Sequence, residues 1–403
     1  MAPRYRPGGY HPIHIGDTFK AGRYTIAHML GSGAYSTVWL AEDSETETYV
    51  ALKVLAADAS KWSGNAESVN EELRVLLRLR EGADEISKDN VVQVIDHFLH
   101  TGPNGKHQCI VTELLGPDVG LDIDILPWSV GRAIIRQVTY AIRYLHRNNT
   151  VHGDLHPGNV LFASQVLSSL SNDDIAQYYG EVEKENWVPT DTHDQPPHAP
   201  LYLVEPSDAS SLIQACLDDP TGVRVKICDF SESSIITENA KPKLANMPLI
   251  HRAPEVLIKR EYTPEFSADI WALAVLFYQI ATGGEFLFLG DNRYRPPSAG
   301  EILQQIVLRV GKLPEKLWSA WPERAQYFNE DGKGLDGRPD TLAGTRPLFP
   351  RFSCHVIDDF EERVLFEQML KNMLTLEPEG RPSIDSVIES DWFVKYCTDT
   401  TVR

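Results

Sequence analysis

Asp154 and Asn159 stand in the stretch Val151-His152-Gly153-Asp154-Leu155-His156-Pro157-Gly158-Asn159-Val160-Leu161, a turn that Pro157 and Gly158 keep from becoming a helix. The chemistry that suits the pair is phosphoryl transfer. A carboxylate orients an attacking hydroxyl and accepts its proton, while the Asn holds a metal ion that neutralises phosphates. A buried turn with a structural Asp is the alternative reading of the same residues. Other groups could serve the same chemistry. Gly31-Ser32-Gly33-Ala34-Tyr35-Ser36 offers backbone amides to a phosphate chain, because glycine has no side chain in the way. Lys53 sits between apolar neighbours, an odd place for a charge unless a carboxylate holds it; a Lys snorkelling from an edge strand is the alternative. Glu72 and Glu71 both compete to be that carboxylate. Asp229, just past a run of alternating residues, is a second candidate metal-binding carboxylate.

The elements that must position these groups are legible as patterns. Tyr24–Leu30 and Thr37–Glu42 read as strands around the glycine turn, and Tyr49–Leu55 as a third strand carrying Lys53. Ser68–Leu79 has helical spacing, with Val69, Leu73, Leu76 and Leu77 on one face. Val91–His97 and Cys109–Leu114 read as further strands, and Leu115-Gly116-Pro117 breaks the pattern as a hinge. Helices then dominate. Ser129–Asn148 is amphipathic and delivers the chain to the Asp154 turn. Residues 163–222 lose periodicity and read as an acidic, partly disordered insertion, with Leu201–Glu205 as a strand within it. His193 and His198 there read as loop residues rather than as a metal tract. Val223–Cys228 leads into Asp229. Ala268–Phe277 is apolar nearly all round and reads as a central buried helix, with Asp269 capping its amides. Arg381 is expected to form a buried ion pair with Glu255.

Composition narrows the class. The 403 residues are 42% hydrophobic and 24% charged, enough to bury a sizeable core. A formal net charge of −19 argues against nonspecific nucleic-acid binding and suits basic or neutral partners. Five cysteines without CxxC spacing argue against a disulfide framework or a zinc site, and for a reducing compartment, cytoplasm or nucleus. The beginning of the chain lacks the apolar core of a signal peptide, and no apolar run is long enough to span a membrane.

Taken in order, Gly31/Gly33, Lys53, Glu72, Asp154/Asn159, Asp229, Ala253-Pro254-Glu255, Asp269 and Arg381 make the chain resemble a eukaryotic protein kinase over about Tyr24–Phe393. It is similar in particular to the kinases of arginine/serine-rich splicing factors. Gly8-Gly9-Tyr10-His11, Ile15-Gly16-Asp17, Gly31–Leu40, Asp269-Ile270-Trp271, Ala281-Thr282-Gly283 and Gly311-Lys312-Leu313-Pro314 carry that likeness, as does the spacer before Asp229. The resemblance implies an α+β bilobal fold. It places an N-terminal extension at 1–23, packed on the kinase, a small β-rich lobe at 24–115 and a larger helical lobe at 116–396. The spacer falls in the larger lobe.

The same resemblance implies ATP and Mg2+ as cofactors and a protein substrate, with basic Arg/Ser-rich tracts as the candidate class. A monomer is expected, with no direct nucleic-acid or membrane partner given the charge and the lack of a spanning apolar run. Leu30, Gly31, Ser32, Gly33, Ala34, Tyr35, Ser36, Val38, Ala51, Lys53, Thr112, Glu113, Leu115 and Leu161 would surround ATP. Lys53, paired to Glu72, would hold its phosphates; Asn159 and Asp229 would bind magnesium; Asp154 would align the hydroxyl. His156 replaces a Lys that touches the γ-phosphate, so reduced turnover is expected rather than none. Ser231 stands where the family has Gly, and Gly153 where it has Arg. With only about 25 residues from Asp229 to Glu255, switching by loop phosphorylation is not expected. A second reading, a weakly catalytic nucleotide-binding scaffold, is favoured by His156 and Ser231. The retained Lys53, Asp154, Asn159 and Asp229 oppose it. A third, a small-molecule phosphotransferase, shares the Asp154 stretch but not Ala253-Pro254-Glu255, Asp269 and Arg381.

Overall fold

The computed structural model describes residues 4–60, 70–83, 85–121, 123–124, 126–186, 198–207, 209–238, 241–259, 261–290, 295–335, 343–349 and 357–397. His193, Cys354, Val69 and the start of the expected Ser68–Leu79 helix lie outside them. The chain divides into two compact units: 1–83, 91–117 and 161–226 form the first, and 84–90, 118–160 and 227–403 the second.

The first unit is built on an antiparallel sheet. Its strands are β1 (Thr18–Phe19), β2 (Tyr24–Ser32), β3 (Ser36–Asp43), β4 (Thr48–Leu55), β5 (Val94–Gly102) and β6 (Gly105–Glu113), in the order β1-β2-β3-β4-β6-β5. Alternation decides the faces. Val50, Leu52 and Val54 of β4 are buried with Trp39, Ala41, Cys109, Val111, Ile26 and Phe19, while Ala51 and Lys53 point to the other side. Helix α1 (Glu71–Glu81) starts where Asn70 Oδ1 accepts the Glu72 N–H at 2.8 Å. Its buried face is Glu72, Leu73, Val75, Leu76 and Leu79; Val75 is buried there, and Leu77 only half-buried.

The spacer departs from the expectation of disorder over its described part. Helix Asn172–Tyr179 opens on a Ser171/Asp174 capping box. Strands Lys184–Asn186 and Tyr202–Val204 pair antiparallel, and Ser211–Leu217 is a second helix. Leu167, Leu170, Tyr179 and Leu212 pack with Leu40 and Leu114, and Val204 joins the main core. These apolar contacts put residues 161–226 in the first unit rather than with the helices of the second. The acidic and Pro-rich stretches around these residues dilute their periodicity in the sequence.

The second unit is helical. Helix Trp128–Arg147 buries Ile134, Val138, Ile142 and Leu145, and packs on helix Phe266–Thr282, where every residue from Asp269 to Thr282 is buried. Helices Ala299–Arg309 and Phe360–Met373 complete the larger packing. Strand Thr150–Val151 pairs antiparallel with Ser234–Ile235, which fixes the entry to the Asp154 turn. Arg381, its side chain fully buried, grips Glu255 with two hydrogen bonds of 2.7 and 2.8 Å. Among the described residues no helix is long and apolar enough to cross a membrane.

Candidate active site

In the first unit, strand register gathers several of the expected nucleotide residues on one face. Val38 pairs with Lys53, and Ala51 with both Leu40 and Thr112. Paired residues of an antiparallel sheet point the same way, so Val38, Ala51, Lys53 and Thr112 share the face opposite Trp39, Leu52 and Val111. Leu30 and Leu161 are half-buried and Leu115 is buried. The glycine turn closes through the Gly33 N–H bonded to the Ser36 carbonyl at 2.9 Å. Ser32, Ala34 and Tyr35 are exposed at its tip. Gly31 and Gly33 do not need a left-handed backbone. A Cβ at Gly31 would meet nothing within 4 Å, and one at Gly33 only Ser36 Oγ at 3.8 Å, so both face open space.

Lys53 Nζ lies 2.6 Å from Glu72 Oε1. Glu71 is exposed and pairs with Arg74 on its own helix. The N-cap at Asn70 therefore sets the helix phase so that Glu72, not Glu71, faces the sheet. Glu113 is committed elsewhere. Its carboxylate takes Lys226 Nζ at 2.7 and 2.9 Å and the Gln93 N–H at 2.8 Å, so only its backbone is left to meet a ligand.

In the second unit, the Asp154 turn is latched from behind. Asp269, in the first turn of its helix, accepts the His152 N–H at 2.9 Å, the Gly153 N–H at 3.0 Å and His146 Nε2 at 3.0 Å. The sequence suggested that Asp269 caps its own helix; its partners are instead amides more than a hundred residues earlier. Burial alone would raise its pKa, but the His146 hydrogen bond and the amides outweigh that and hold it below the usual carboxylate value. His152 is fully buried. The Asp154 N–H donates to its Nδ1 at 3.2 Å, so its Nε2 carries the proton toward the Cys228 carbonyl, 3.1 Å away. Burial lowers its pKa and keeps it neutral.

Asn159 Nδ2 donates to the Asp154 carbonyl at 2.8 Å and to Asp154 Oδ2 at 3.3 Å, which turns the Asn159 amide oxygen away from the carboxylate. Asp154 Oδ1 is buried and makes no hydrogen bond. His156 Nδ1 accepts the Gly158 N–H at 3.1 Å, so its proton sits on Nε2, 3.6 Å from Asp154 Oδ1 and too far to bond it. Asp229 adopts φ +56° and accepts the Ser231 N–H at 3.3 Å. Ser231 itself needs no left-handed backbone, so the freedom a glycine would bring there is not used. Gly153 has φ +79°, and a Cβ added to it would lie 2.6 Å from the Glu232 carbonyl oxygen, so the family's Arg has no room. Two hydrogen bonds tie the segment after Asp229 to Glu232. Lys243 donates to the Glu232 carbonyl, and Asn246 Nδ2 to Glu232 Oε1 at 2.8 Å.

The protein kinase domain model matches residues 24–187 and 213–393. This chain belongs to the protein kinase family. The kinase is similar along most of its length to the serine/threonine-protein kinase SRPK of Physarum polycephalum, at 29% identity over 96% of this chain and 89% of that protein. Protein kinase dsk1 of Schizosaccharomyces pombe is 39% identical over 40% of this chain and 30% of its own. Human SRSF protein kinase 3 is 37% identical over 39% and 28%. The alignments with these last two span less than a third of each protein. The chain is thus an SRPK-like serine/threonine-protein kinase with a β-sheet unit and a helical unit. Sequence reasoning missed the His146 contact to Asp269 and the Lys226 contact to Glu113. A polar residue in the buried register of an amphipathic helix was the available sign of the first; nothing in the spacing marks the second.

Proposed function

We propose that this kinase transfers the γ-phosphoryl group of ATP to Ser or Thr hydroxyls of protein substrates, with basic Arg/Ser-rich tracts as the preferred class. The observation that carries the reading is the Asp154 carboxylate. One oxygen is held by Asn159, and the other is buried without a hydrogen bond, in a turn whose backbone Asp269 fixes. Such an oxygen suits an incoming hydroxyl and its proton. Lys53, held by Glu72 at 2.6 Å, takes the ATP phosphates. Asn159 and Asp229 supply hard oxygen donors, the set that suits magnesium. Magnesium, when bound, neutralises phosphate charge. His156 brings an N–H but no fixed charge. Catalysis then rests on positioning and preorganised charge.

The net charge of −19 supports a basic protein substrate and opposes nucleic acid. The acid on helix Ala299–Arg309 does not add to this, because Glu301 already caps Ser298 and pairs with Arg295. We read the chain as a monomer of cytoplasm or nucleus. Phosphate incorporation from Mg-ATP into Arg/Ser, Lys/Ser and Glu/Ser peptides of equal length tests the substrate class: Arg/Ser should be strongly preferred, and an equal or acidic preference overturns it. The scaffold reading draws on one observation, the His156 N–H facing Asp154. Nucleotide binding with no transfer to any peptide would favour it.

A further inference from the structure

We propose that Arg4 and Tyr10 are positioning residues for the glycine turn, fixing the peptide plane that presents the Ala34 amide to a phosphate. This rests on the reading that the turn covers ATP. The Gly33 carbonyl receives two hydrogen bonds, one from the Arg4 guanidinium and one from the Tyr10 hydroxyl. The same hydroxyl accepts from Arg4 Nη1 at 2.6 Å, so Tyr10, only 1% exposed, has both its donor and its acceptor roles filled. The Arg4 guanidinium lies 5.7 Å from the centre of the Tyr10 ring, which meets Tyr5 edge-on.

Neither donor is free to wander. The Tyr10 N–H bonds the Arg4 carbonyl at 2.9 Å, and Asn104 Nδ2 donates to the Tyr10 carbonyl. Gly8 and Gly9 carbonyls accept the Asp58 and Ala57 N–H groups at 2.7 and 3.0 Å, just past β4. The Ala56 N–H bonds the Tyr35 carbonyl at 2.8 Å. The turn is therefore tied through two of its carbonyls, Gly33 and Tyr35, to one fixed patch at the sheet end. A trans peptide holds its C=O and the next N–H on opposite edges. With the Gly33 oxygen held toward Tyr10, the Ala34 N–H points to the other side, as a donor suited to an anion. Without Arg4 and Tyr10 that peptide can rotate, since Gly33 restricts it little.

Tyr10→Phe, which removes one hydroxyl, and Arg4→Met, at an exposed position, test the assignment by two readouts. Deuterium uptake in the fragment 31–36 of the nucleotide-free chain should rise in both variants, with uptake in the other strands unchanged. KM for ATP should rise about three- to tenfold, as expected for one lost hydrogen bond, with KM for the peptide unchanged. Unchanged uptake and unchanged ATP KM would overturn the proposal. So would a rise in uptake spread over the whole sheet, which would make Tyr10 a core residue only. If the wild-type chain transfers no phosphate, the reading as an active kinase fails, but the uptake measurement still decides this proposal because it needs no turnover.

Discussion

Replacing Gly153 by alanine probes the packing of the Asp154 turn directly. Gly153 has φ +79°, and an added Cβ lies 2.6 Å from the Glu232 carbonyl oxygen. Two costs follow. The left-handed backbone costs a residue with a side chain about 1–2 kcal/mol. Relieving the contact means moving a carbonyl that Lys243 holds by most of an ångström, an overpacking cost of about 1–3 kcal/mol. The expected loss is about 2–5 kcal/mol in total. Gly344 is the control in the same unit. It has φ +72°, and its nearest neighbours would sit 3.6 Å from a Cβ, so only the first cost applies. Urea unfolding of both variants, compared at equal m, should place Gly153→Ala at least about 1 kcal/mol below Gly344→Ala. Equal losses would refute the clash. Gly153→Arg carries the same Cβ and must lose at least as much as Gly153→Ala; an arginine tolerated there would refute the reasoning as well.

Lys53→Met should lower phosphate transfer on the order of a hundredfold or more while ATP affinity falls only several-fold, because the lysine acts on developing charge; equal effects on transfer and binding, measured by steady-state kinetics and calorimetry, would contradict that role. His156→Lys restores a fixed charge beside Asp154 and should raise kcat, by about tenfold, with ATP KM little changed; an unchanged or lower kcat would count against the charge argument. His251 is buried, bonded through Nε2 to Gln279 at 2.8 Å, and burial lowers its pKa to about 4. The unfolded chain takes up that proton first as pH falls through about 6.5, so stability should be full above that value and decline toward pH 4, by up to about 3 kcal/mol from this group. His251→Gln keeps a hydrogen-bonding side chain, and its stability should fall less steeply between pH 6.5 and 4. Parallel curves for the two proteins would show that His251 does not titrate this way.

How far the sequence speaks depends on whether a role is local. The β-rich and helical composition, and the order of chemistry-bearing residues, were legible because alternation and helical periodicity are short-range signals. The choice between Glu71 and Glu72 was legible only in part, since spacing puts Glu72 next to the apolar face but leaves Glu71 as a competitor. The Asn70 cap and burial against the sheet separate them. Asp269 misled for a similar reason. An acid in a first helical turn suggests a cap, yet its partners are His152, Gly153 and His146, which only folding brings near. The spacer looked partly disordered because its acidic and Pro-rich stretches hide Leu167, Leu170, Tyr179 and Leu212, which share one buried cluster with the sequence-distant Leu40 and Leu114. Gly153 and Ser231 read as departures from a family pattern; only the φ angles and the Glu232 carbonyl show that the first excludes a side chain and the second tolerates one.

In the proposed reaction the Asp154 carboxylate receives the hydroxyl of a Ser or Thr as phosphate moves to it. Asp154→Asn keeps the shape of the turn and removes the basic oxygen. With Mg-ATP and an Arg/Ser peptide, the wild-type chain should incorporate phosphate into serine, and the variant should do so on the order of a hundred- to ten-thousandfold more slowly while binding ATP as before. Equal incorporation by the two proteins would contradict the account.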